Sequence, residues 1–427
     1  MIDTRTPRRT VLKGALGFAS LTVGTKGVAG AVQPHLPVET GDEEAFWQAI
    51  AGQYDVTREV VQVENGNWGM MPRPVFTAYQ EHLARVNRDT SYYSRRGFGR
   101  DAMAVREEIA DALGVQPDEI AFTRNATEAL KALILGYNQL KPGEAVLYSD
   151  LDYDSMQASM DSLAARCKAR VVRIALPEPA SHQGLLAAYT QALDENPHVR
   201  LLLLTRIGHR TGLAVPVREI AAMARARGVD TIVDAAHSWY QIDGDIAAMD
   251  CDFVGVNGHK WLGAPLGLGV IHIRRGALHK IDPDPAEKGD AGVFSRVHTG
   301  TTDISALLTA PVALAFHARI GSERRTRRLR ALRSRWVDQV RTIANVQILT
   351  PEDPELSASI TSFRLKGRTS VQANKALAKQ LLDRHGIFSV HRDGVASGAC
   401  VRITPALFNS MAEMDKVAAA IAAIASN

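Results

Sequence analysis

The chain has 427 residues, enough to bury a large core and to form two domains. A net charge of +4 is too small for this length to argue for a nucleic-acid partner. Three cysteines are too few for a disulfide framework, and no Cys/His spacing points to a metal site.

Thr6-Pro-Arg-Arg-Thr-Val-Leu-Lys13 resembles a twin-arginine export signal, followed by a weakly apolar, glycine-rich stretch over 14–23. That stretch is too short for a membrane span. Ala29-Gly-Ala31 offers small residues for cleavage. A signal is therefore expected over 1–31, with twin-arginine translocation machinery as a partner and a periplasmic destination. Residues 32–63 read as a linker and a helical N-terminal arm.

From about residue 105 to 274, helical patterns alternate with short apolar runs. The runs are Ile120-Ala-Phe-Thr123, Ala145-Val-Leu-Tyr148, Arg170-Val-Val-Arg-Ile174, Leu201-Leu-Leu-Leu204, Thr231-Ile-Val233, Phe253-Val-Gly-Val256 and Leu268-Gly-Val-Ile-His-Ile273. Continuous apolar runs separated by helices predict a mostly parallel sheet of about seven strands, covered on both faces. Asp282-Pro-Asp-Pro-Ala286 breaks the pattern. A long helical region over 304–343 then leads into a smaller α+β domain. The fold class is α/β, with a large domain over 64–303 and a long helix plus small domain over 304–427. Arg324-Arg-Thr-Arg-Arg-Leu-Arg330, extended by Arg333 and Arg335, lies in a helical stretch and reads as a solvated helix face.

Two strand ends carry chemistry. Asp234 closes the run Thr231-Ile-Val233, and Lys260 follows Phe253-Val-Gly-Val256 within Val256-Asn-Gly-His-Lys-Trp-Leu-Gly263. Strand ends of an α/β sheet are where catalytic side chains gather. A lysine for an aldehyde and an acid for a pyridinium nitrogen are the two needs of pyridoxal 5′-phosphate (PLP). Asn125-Ala-Thr-Glu128 follows a strand and opens a helix, so the N–H groups of Ala126 and Thr127, with the Thr127 hydroxyl, suit a phosphate.

In their order and spacing these segments resemble the class V aminotransferase family of fold-type I PLP enzymes, in its isopenicillin N epimerase-like branch. The resemblance runs from about residue 64 to 407. It also includes Asn65-Gly-Asn-Trp-Gly69, Thr123-Arg-Asn-Ala-Thr-Glu-Ala129, Thr211-Gly-Leu-Ala-Val-Pro216 and Val401-Arg-Ile-Thr-Pro-Ala-Leu-Phe-Asn409. It implies that Lys260, Asp234 and His237 are catalytic. It implies that Tyr153 stacks on the cofactor ring and that His259 faces the phosphate. Arg402 would take the α-carboxylate of an amino acid substrate, with Asn67 beside it. Thr301 would reach the neighbouring subunit's phosphate pocket, giving a homodimer with shared sites. The segment Thr205-Arg-Ile-Gly-His-Arg-Thr211 departs from the family pattern: Arg206, His209 and Arg210 replace small or neutral groups. An extra cation near an acidic substrate group and a surface orientation both stay open for them.

The implied activity is of aminotransferase type, with an amino acid or peptide epimerase as the alternative. A lyase and a non-catalytic binding protein are further alternatives. A cysteine desulfurase needs a loop cysteine shortly before the C-terminal arginine, and Gly386-Ile-Phe-Ser-Val-His-Arg-Asp-Gly394 has none.

Overall fold

The computed structural model describes residues 42–426, apart from 243 and 245. The expected signal over 1–31 and the start of the linker lie outside the described residues. The N-terminal arm is a single short helix, α1 (Glu43–Ala51), capped by Asp42, followed by a two-residue strand, β1 (Val61–Gln62). Helices α2 (Arg73–Arg96) and α3 (Phe98–Leu113) lead into the sheet region.

Seven strands form the large sheet: β2 (Ile120–Thr123), β3 (Ala145–Ser149), β4 (Arg170–Ile174), β5 (Val199–Thr205), β6 (Asp230–Asp234), β7 (Phe253–Asn257) and β8 (Gly269–Ile273). Their order is β2-β8-β7-β6-β5-β3-β4. Only β8 runs antiparallel to its neighbours. Every apolar run read from the sequence is one of these strands. Alternation along the strands divides two cores. Leu147, Leu202, Leu204, Val233 and Val254 face one side, with Ile109 and Leu113 of α3 and with α6 (His182–Glu195) and α7 (Val217–Arg225). Val146, Leu201, Leu203, Ile232 and Phe253 face the other, against α4 (Ala126–Gly136) and α5 (Asp154–Cys167).

The expected single long helix is two. α8 (Ile304–Ile320) and α9 (Ser322–Val340) meet at 79°. Gly321 between them has φ 85°, a left-handed conformation that glycine adopts without a Cβ clash. The smaller layer is a four-stranded antiparallel sheet of β9 (Val346–Ile348), β10 (Thr361–Leu365), β12 (Val390–Arg392) and β13 (Cys400–Ile403), ordered β12-β13-β10-β9. It packs on α9, α10 (Val371–His385) and α11 (Met411–Ala425) through Trp336, Phe363, Leu381, Val401 and Ile421. β11 (Ile387–Phe388) pairs with β1, which ties the arm to this layer.

The arginine-rich stretch is not a solvated face along its length. Arg324 and Arg328 of α9 pair with Glu43 and Glu44 of α1 at 2.7 and 2.8 Å. Arg324 also sits 3.4 Å from the centroid of the Phe46 ring. Arg333 is buried and donates to Thr361 Oγ1 and the Pro351 carbonyl. Arg327 and Arg335 are the exposed members, and they too are paired. These arginines dock the N-terminal arm and the small sheet, combining charge with apolar stem packing.

Candidate active site

The C-terminal ends of β2, β3, β5, β6 and β7 share one edge of the sheet, because β8 is the only reversed strand. Thr205, Asp234 and Gly255 are laterally aligned across β5, β6 and β7. Turns leaving these ends enclose a cavity of about 710 Å³. Lys260, Asp234, His237, Ala126, Thr127, Tyr153, His259, Thr301, Arg402 and Asn67 all line it. The fold thus brings these residues together, and Thr301, expected at a neighbouring subunit's pocket, lines this chain's own.

Lys260 Nζ lies 3.1 Å from His237 Nε2. Burial pushes the lysine down from 10.5 to about 8, while Asp234 opposes the shift. Burial, and next the Lys260 charge, hold the His237 imidazole well below its usual range. A neutral ring can therefore exchange a hydrogen bond with the lysine in either direction. Its Nδ1 is buried without a hydrogen-bond partner. Asp234 is also buried, and its Oδ1 accepts from the Ala236 N–H at 2.9 Å. Burial raises its carboxyl, with Lys260 pulling it back.

At the mouth of α4, Asn125 Oδ1 caps the helix by accepting from the Glu128 N–H at 2.9 Å. The Ala126 N–H, expected from the sequence as a phosphate donor, is instead taken by Asn257 Oδ1 at 2.6 Å. A Cβ on Gly269 would lie 2.5 Å from the Asn125 carbonyl carbon, so glycine lets β8 approach this turn. His259 faces the same space, its ring pushed to about 4 by burial and by Lys260. Tyr153 is half-exposed and meets the His209 ring edge-on at 5.2 Å. The glycine-rich entry segment also has a steric reason. Gly69 N–H donates to the His259 carbonyl at 2.8 Å, and a Cβ there would overlap the Lys260 carbonyl oxygen.

Arg402 lines the cavity, but its guanidinium is engaged. It donates to Glu64 at 2.6 and 2.9 Å and to the His209 carbonyl at 2.7 Å. Arg392, on the neighbouring strand β12 opposite Cys400, lines the same cavity and shares Glu64 at 3.3 Å. Of the three departing residues Arg206, His209 and Arg210, His209 alone lines the cavity. Arg210 is buried against Asp154 and the Asp150 and Asp152 carbonyls, so its charge is structural. Arg206 is absent from the lining; its backbone joins Asp234 and Val215.

Four residues went unread in the sequence. Glu64, Arg392 and Asn257 acquire their roles from partners distant in the chain. Asp152 is buried behind the cavity, accepting from Ser149 N and Oγ and from Thr205 Oγ1 at 2.7–2.9 Å. Burial raises its carboxyl to about 6. The one available signal was Asn257, a polar residue closing an apolar strand.

The family model described as Aminotransferase class-V matches residues 69–417. The chain belongs to the class V aminotransferase family. An isopenicillin N epimerase from Streptomyces clavuligerus is 29% identical over 406 residues, covering 89% of this chain and 98% of that protein. A probable cysteine desulfurase from Vibrio cholerae is 25% identical, covering 87% and 97%. Among solved structures, an Escherichia coli cysteine desulfurase superposes with a TM-score of 0.73 at 20% identity, covering 88% of this chain and 97% of that one. A lyase mutant with glycine covalently linked to its PLP cofactor gives 0.74 at 19% identity, covering 87% and 98%. The fold is fold-type I.

Proposed function

We propose that this chain is a PLP-dependent enzyme acting at the α-carbon of an amino acid. The carrying observation is that one cavity holds a buried lysine lowered to about 8, a buried carboxylate at a strand end and the N-terminus of α4. The residues fit the cofactor on their own chemistry, since the His237 Nδ1 and His209 Nδ1 atoms are buried in that cavity without protein partners. Thr127 and His259 would hold the phosphate, Asp234 the ring nitrogen, and Tyr153 one ring face. The bound group supplies an aldehyde for the substrate amine and a ring that withdraws electrons from Cα.

Lys260 then acts as the base that takes the proton at Cα, and its depressed basicity leaves about a tenth of it unprotonated at pH 7, against well under a thousandth for an ordinary lysine. His237, neutral and within hydrogen-bond reach, orients the amine. Arg402 and Arg392 hold the substrate carboxylate, with Asn67 at the rim. Returning the proton to a different carbon gives an aminotransferase-type reaction, the activity proposed for this chain. Epimerisation is the second reading. The similarity to isopenicillin N epimerases along most of the chain favours it, as does the Tyr153–His209 pair, a further set of polar groups in the cavity. Persulfide formation is disfavoured because none of the three cysteines lines the cavity, and burial pushes Cys251 up to about 12 and Cys400 up to about 11.

A homodimer with shared sites is part of the proposal. Thr301 and Thr302 stand at the cavity rim, and Leu266, also at the rim, and Trp68 are more than half exposed, apolar surface that a second copy would cover. Export through the twin-arginine pathway to the periplasm is proposed from Arg8 and Arg9. The purified protein should be incubated with a panel of L- and D-amino acids in deuterated buffer. Keto acid formation marks transamination, and inverted, deuterated amino acid marks epimerisation. Absence of α-proton exchange across the panel refutes the proposed function.

A further inference from the structure

Glu64 stands where the glycine-rich segment enters the site, and its carboxylate is buried beside two guanidinium groups. Arg402 Nη2 donates to both of its oxygens, at 2.6 and 2.9 Å, and Arg392 Nη2 donates to Oε1 at 3.3 Å. The remaining Arg402 Nη1 bond goes to the His209 carbonyl. The donor edge that would grip a substrate carboxylate is thus occupied by one belonging to the protein. Gly66 makes room for this, since a Cβ there would lie 2.4 Å from Arg402 Nη2. Two guanidinium charges against one carboxylate leave one net positive charge, matched to a single negative head group.

We propose that Glu64 is an internal competitor for the substrate carboxylate. It holds Arg402 in the free protein and yields it to an incoming α-carboxylate, while remaining on Arg392. This rests on the reading of Arg402 as a substrate ligand. A buried guanidinium without an anion is strongly destabilising, so the free protein needs an occupant there. The same occupant weakens every carboxylate ligand and sets the site for one negative charge rather than two. Glu64 is a positioning and specificity-determining residue, acting through Arg402.

The probes are propionate and malonate, titrated calorimetrically into the full-length holoprotein and its Glu64→Gln variant. Glutamine keeps an oxygen for Arg402 but removes the competing charge. Propionate should bind about tenfold tighter or better to the variant, because charge-assisted pairs are roughly twice as strong as neutral ones. Malonate should gain more. A purely structural Glu64 gives unchanged or weaker binding in the variant, and that result, or no propionate binding to either protein, overturns the proposal. Should the variant not fold, a crystal structure of the wild-type protein with propionate decides. Glu64 displaced from Arg402 is expected, and propionate bound with that pair intact overturns the idea. Neither measurement needs turnover. Tightened binding without any α-proton exchange would spare Glu64 and remove the proposed function; unchanged binding in an active enzyme would do the reverse.

Discussion

Burial takes the Lys260 amine from 10.5 to about 8, and the consequence is measurable in how fast it captures cofactor. Only the unprotonated amine attacks an aldehyde. A pKa near 8 rather than 10.5 raises its fraction at pH 7 by roughly 300-fold. Protein stripped of cofactor, mixed with pyridoxal phosphate and followed by absorbance, should show a capture rate rising tenfold per pH step from pH 6. The rise should level off near pH 8. Asp234 is the leading group opposing the shift, so Asp234→Asn should move the midpoint below 8. A rate still climbing through pH 10, or a midpoint that rises in Asp234→Asn, would refute the assignment of Lys260 to a desolvated site next to Asp234. Lys260→Ala should lose the cofactor band that borohydride removes.

Three other outcomes are expected. Asp234→Asn should retain cofactor but lower turnover by several orders of magnitude, since a preorganised charge beside the ring is worth several kcal/mol; near-normal steady-state rates would mean another residue holds the ring nitrogen. Asp152 is raised from 3.8 to about 6, so its contribution to stability is full below pH 4 and is lost as pH rises through 6. Asp152→Asn should therefore gain on wild type by up to about 3 kcal/mol between pH 4 and pH 7.5 in urea titrations, and parallel pH profiles would contradict this. Replacing Arg8 and Arg9 by Lys should keep the protein in the cytoplasm with its fold intact, checked by cell fractionation.

The strands were legible because local composition decides them. Leu201-Leu-Leu-Leu204 and Phe253-Val-Gly-Val256 have no polar face to turn to water, so they must be covered on both sides, and that requirement implies a sheet between helices. Asp234 was legible because it is a charged group closing such a run and Lys260 because it follows one in a short polar turn, and the turn at Asn125-Ala-Thr-Glu128 because a cap is read within four residues. The bend at Gly321 was not, since a glycine within a helical pattern is often tolerated and the left-handed conformation is settled by what α8 and α9 each pack against.

Charge pairing also escaped the sequence. Glu64 and Arg402 are 338 residues apart, and nothing local distinguishes an arginine offered to a ligand from one already held. Arg210, open to either reading in the sequence, turned out to be locked beneath Asp154 and two carbonyls, and the arginine row of α9 became a clamp on the N-terminal arm. The sequence by itself determined which groups can supply the chemistry, because strand ends and helix starts are local. The tertiary structure decided which of those groups are neutral, paired or free, because desolvation and ion pairing depend on residues that only the folded chain brings together.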